Sequence, residues 1–86
     1  MVLTFSRETE NRCEWLADVM RRAQRRLGFR RLEQMAGEMG MSRSTYCQRL
    51  ANPGNLTLRE LWTLESVLRH AGMTHEAETI RGGYAC

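Results

Sequence analysis

Glycines cut this 86-residue chain into stretches in which apolar residues recur every three or four positions. That period marks one buried face of a helix. Trp15, Leu16, Val19, Met20, Ala23 and Leu27 follow it until Gly28, and Leu32, Met35, Ala36 and Met39 follow it until Gly40. Leu61, Leu64, Val67 or Leu68, and Ala71 follow it until Gly72. Glycine closes helices because, lacking Cβ, it takes the left-handed conformation that a helix end uses. No segment alternates apolar and polar residues over a strand's length. The reading is an all-α fold: a compact domain of four to five helices spanning 1–86.

End signals refine the boundaries. A first helix lies within about residues 7–27, with Ser6 as its cap and Glu8 and Glu10 in its opening turn. Asp18 can pair with Arg21 or Arg22 on its outer side. A second helix fits Arg31 to Met39, and a third runs from Arg43 to about Ala51, capped by Ser42, with Tyr46 and Leu50 turned inward. Asn52-Pro53-Gly54-Asn55 is a loop on its chemistry. Thr57-Leu58-Arg59-Glu60 is a capping box, with Leu56 and Leu61 placed as a hydrophobic staple. It opens a fourth helix that ends near His70. A short fifth helix fits Thr74 to Ile80, stopped by Gly82-Gly83.

Charge is informative for where it lies. All thirteen cations are arginine, and the formal net charge is +3. Residues 1–18 carry −2 and residues 50–86 carry −1, so a central segment, 19–49, holds +6. There Arg21, Arg22, Arg25, Arg26, Arg30, Arg31, Arg43 and Arg49 face Glu33 and Glu38. A local cationic footprint suits a phosphate backbone. Acids first and arginines last along one helix also complement its dipole with no partner at all. Both readings stand on charge alone.

Several classes are disfavoured. No apolar run approaches the ~20 residues that span a bilayer, and the start is no signal peptide, so a cytoplasmic protein is expected. Cys13, Cys47 and Cys86 have no short spacing, and His70 and His75 add no metal pattern; free thiols and no metal are expected. No cofactor motif and no nucleophile–base set point to an enzyme. Trp15 and Trp62 suit core or interface packing, and the methionines suit the core.

The constellation that carries function is the link Gly40-Met41-Ser42 between helices two and three. A link that short forces a tight corner. Ala36 supplies the small residue where the helices touch, and Gly40 permits the turn. Leu32 to Leu68, LEQMAGEMGMSRSTYCQRLANPGNLTLRELWTLESVL, resembles the lambda-repressor-like (Cro/repressor, XRE) helix-turn-helix family. The motif spans 31–51. One departure is that the family carries an apolar residue three places after the one matched by Tyr46, where this chain has Arg49, with Leu50 one place later. Arg49 can bury its stem and extend its guanidinium outward.

The resemblance implies a sequence-specific regulator of double-stranded DNA, a repressor of phage, mobile-element or small-operon type, with its third helix in the major groove. Arg43, Ser44 and Gln48 would then read base edges, Arg43 suiting guanine and Gln48 adenine. Arg31, Ser42, Thr45, Arg49 and Asn52 would contact phosphate, Arg31 from the start of helix two. Family members pair on palindromic operators, so a homodimer is expected. The stretch 73–86, with Met73, Ala77 and Ile80 on one side, is a candidate dimer surface; the same residues suit closure of the domain's own core. The alternative function keeps the fold and uses it as a protein-binding adaptor or inhibitor.

Overall fold

The chain's structure, a computed structural model, describes residues 7–84. Among the described residues it is all-helical, with five α-helices and no strand. They are α1 (Arg7–Arg26), α2 (Leu32–Glu38), α3 (Arg43–Ala51), α4 (Leu58–His70) and α5 (Thr74–Tyr84), with a 3-10 turn at Pro53–Asn55. Ser6, expected to cap α1, lies outside the described residues. No described helix is long and apolar enough to cross a membrane.

Three of the four corners are built alike. Gly28, Gly40 and Gly72 have φ of 74°, 71° and 76°, and each sits one residue past a helix's C-cap. At the second corner the Gly40 N–H donates to the Gly37 carbonyl at 3.1 Å and the Met41 N–H to the Ala36 carbonyl at 2.9 Å. This paired closure satisfies carbonyls that a helix end leaves open. Phe29 and Met73 make the matching long bond at the other two corners, to Gln24 and Leu68. Each of these three residues also packs in or against the core, so one short segment both ends a helix and anchors the next.

Gly82 and Gly83 behave differently. The expected stop at these residues does not occur, and α5 continues to Tyr84. Glycine costs about 1 kcal/mol in a helix but does not forbid it. Both lie within the helix, and Gly82 lacks the positive φ that turns the chain at the other three.

One core joins all five helices. Leu16, Val19, Met20 and Ala23 enter it from α1, Met35 and Ala36 from α2, Tyr46 from α3, and Leu61, Leu64, Val67 and Leu68 from α4. Met73, Ala77 and Ile80 complete it and are 3%, 0% and 2% exposed. The apolar side offered as a dimer surface is therefore inside the protomer, packed against α4. Side chains the size of Met73 and Ile80 each gain about 1.5–3 kcal/mol from full burial, so this stripe is spent on the protomer's own core.

Candidate nucleic-acid interface

α3 is mounted by its own first turn. Ser42 accepts the Thr45 N–H on its hydroxyl oxygen at 3.1 Å, and the two hydroxyls lie 3.0 Å apart. Ser42 and Thr45, expected at phosphate, are thus engaged with each other at the N-cap, with Ser42 exposed and Thr45 half-buried. A cap of this type is worth about 1 kcal/mol and fixes where the helix begins.

Opposite the exposed side, Tyr46 is fully buried. Its hydroxyl finds no hydrogen-bond partner among the described residues. Burial pushes its pKa from 10.0 up to about 12, against a smaller lowering from the Arg21 charge. The ring, not the hydroxyl, therefore anchors α3.

Arg43, Ser44 and Gln48 are all exposed. Ser44 and Gln48 lie four residues apart and share a helix face, with Arg43 beside them at the helix start, so the fold brings these three together on the outer side of α3. Arg43 Nε lies 3.3 Å from Glu33 Oε1 on α2, with both side chains more than half exposed. An exposed pair of this kind holds about 0–1 kcal/mol, so Arg43 is steadied without being consumed. The contact also sets the first turn of α2 beside the first turn of α3.

Arg49 departs from the rest. Its Nε donates to Glu60 Oε1 at 2.9 Å, and its side chain is only 22% exposed. The same Glu60 oxygen accepts the Thr57 N–H at 2.9 Å, while the Thr57 hydroxyl accepts the Glu60 N–H at 3.1 Å. The capping box that opens α4 is thus also the clamp on the end of α3. Burial raises the Glu60 carboxyl pKa, but the Thr57 N–H, the Arg49 hydrogen bond and charge, and the Thr57 hydroxyl together hold it below the ordinary value. Arg49, expected at phosphate, is instead turned to a carboxylate within the fold. An arginine standing where an apolar residue was expected was the available signal; its partner eleven residues on was not visible from spacing.

The other expected phosphate residues are exposed at the margins. Arg31 is the N-cap of α2 through its backbone: its N–H donates to Gln34 Oε1 at 3.1 Å and its carbonyl accepts the Gln34 N–H at 3.1 Å. Its guanidinium has no ion pair among the described residues. Asn52 caps the end of α3, its N–H bonded to the Gln48 carbonyl at 3.0 Å. It borders an open cleft of about 330 Å³ between α1 and the end of α3, which Arg21 and Cys13 also line. Cys13 and Cys47 are free thiols, both half-buried.

Trp15 packs partly buried against the core, as expected. Trp62, for which core or interface packing was expected, is not part of the core: it is 59% exposed, one turn after Leu58 at 51%, on the outer side of α4. Comparison of the chain with protein-family models, with curated proteins and with solved structures gives no match.

Proposed function

We propose that the chain is a sequence-specific, double-stranded DNA-binding regulator of the lambda-repressor-like helix-turn-helix type, acting as a repressor. The observation that carries this reading is the mounting of α3. Arg43, Ser44 and Gln48 are exposed on one side of it, while Tyr46 buries the other. A helix laid in the major groove needs such an arrangement: exposed polar side chains of suitable geometry on a rigidly held axis. The corner at Gly40, with positive φ and doubled backbone closure, fits the same reading. Arg43 and Gln48 are the base readers in this reading, and Arg31 and Asn52 are the phosphate contacts that best fit it. The operator is a palindrome bound by a homodimer, whose contact lies elsewhere than the buried side of α5.

The test is selection of bound sequences from random duplexes at stated salt, followed by measurement of Arg43→Ala on the selected site. A palindromic motif is expected, and Arg43→Ala should lose about 1–3 kcal/mol of binding and relax preference at one position. Absence of any enriched sequence would refute the reading.

Exposed Leu58 and Trp62 favour a second reading, in which the domain is a protein-binding adaptor. Apolar anchors of this kind suit protein interfaces. Binding through them would change little between 50 and 200 mM salt, whereas DNA binding would weaken steeply.

A further inference from the structure

Ion pairing separates two groups of arginines. Arg22 is tied to Asp18 and Glu76, Arg43 to Glu33, Arg49 to Glu60, and Arg69 and Arg81 to Glu65. Arg21, Arg25, Arg26, Arg30 and Arg31 are exposed and make no ion pair among the described residues. These five run from the last turns of α1 through its corner to the N-cap of α2, interrupted by the paired Arg22; Arg59 on α4 is likewise exposed and makes no ion pair among the described residues.

Dipole complementarity does not account for the group. The end of α1 is already closed by backbone bonds from Leu27, Gly28 and Phe29 to the Ala23, Arg25 and Gln24 carbonyls. Arg30 and Arg31 lie beyond that helix, just before the start of α2, where a helix dipole disfavours cations. Nor does compensation account for it, since nearby Glu33 is engaged by Arg43. The strip also has a definite place. Arg21 lines the cleft at the end of α3, and Arg31 stands two residues from Glu33, which touches Arg43 at the start of α3. Arg21 thus lies beside the end of α3 and Arg31 near the pair that touches its start, whereas the Arg26 guanidinium lies by Gly72 at the corner between α4 and α5.

We propose that this strip is a second DNA contact, gripping the phosphodiester backbone that flanks the groove occupied by α3. It rests on the DNA-binding reading above and adds α1 and its corner to the contact surface. Guanidinium suits the partner, because its planar fork of donors matches phosphate oxygens in pairs. A run of such groups, free of carboxylates, matches a chain of regularly spaced anions.

The experiment compares the full chain with R25Q/R30Q on the selected duplex between 50 and 200 mM salt. Glutamine keeps helix propensity close to arginine's, so α1 should persist. The salt slope should fall in magnitude by about 2, since each neutralised phosphate contributes about 0.9. The selected sequence should stay the same, and hydroxyl-radical protection should shrink along one flank. R21Q, which removes one charge beside the end of α3, should lower the slope by about 1, and serves if the double variant melts early. An unchanged slope in folded variants, with sequence selection intact, overturns the strip alone. So does an unchanged slope with lost binding to phosphatidylserine vesicles, which would assign the strip to a membrane surface. Failure of the wild-type chain to select any duplex overturns the DNA reading itself, and the strip with it.

Discussion

The two ends of α3 are held in opposite ways. At its start, the capping hydroxyls fix the backbone while Arg43 and Ser44 remain exposed, with a surface ion pair from Arg43 to Glu33. Towards its end, Tyr46 is sealed in the core, Leu50 packs against it, and Arg49 is clamped to the carboxylate that also caps α4. A reading surface needs both treatments. Side chains that must meet a partner cannot be used up by the fold, yet their helix must be fixed by residues that are.

Substitution at Tyr46 should break this contrast most. Tyr46→Ala removes a fully buried ring from the centre of the core and should cost about 3–5 kcal/mol in urea unfolding. An effect below about 1 kcal/mol would mean the ring does not anchor α3.

Arg49→Ala should come next, at about 1–3 kcal/mol, because it leaves a largely buried carboxylate without its charged partner. Glu60→Ala should cost a similar amount, and the double variant less than the sum of the two. The pH response sharpens the point. A carboxyl whose folded pKa is depressed supports folding above its ordinary value of 4.5 and loses that support as pH falls through the folded value. Acidification below about 4.5 should therefore destabilise the wild type more than Arg49→Ala. Equal acid sensitivity would show that the clamp contributes little.

Tyr46→Phe separates the ring from its hydroxyl. Removing an unpartnered buried hydroxyl should raise stability by about 1 kcal/mol at neutral pH. With a folded pKa of about 12 against 10.0 unfolded, wild-type stability should decline as pH rises from 10 to 12, since only the unfolded chain releases the proton there. The Phe variant should lack that part of the decline in alkaline melting curves.

Arg43→Ala should have the smallest effect on the fold, within about 0.5 kcal/mol, because its pair with Glu33 is exposed. A loss above about 1 kcal/mol would show that the fold depends on the leading end of α3 as much as on the trailing one.

Much of the local structure was legible in the residues. The α3 boundaries, the Ser42 cap, the Thr57–Glu60 box and the three glycine corners match their sequence signals. Each depends on groups within four or five residues of one another, so spacing alone carries it. The exposure of Arg43, Ser44 and Gln48 was legible in the same way, as the side of α3 opposite Tyr46. Gly82 and Gly83 were misleading because glycine permits a turn without requiring one.

What the sequence determined by itself is therefore the set of helices, their corners and the outward side of α3, because caps, periodicity and left-handed glycines act locally. Tertiary structure alone decided which charges and apolar stripes are already occupied. Arg49 meets Glu60 across a corner, and Arg22 meets Glu76 from fifty-four residues away. Met73, Ala77 and Ile80 form the same stripe whether they face a second copy or their own α4. A helix's pattern says which side is apolar; only the element packed on that side decides whether the surface is spent.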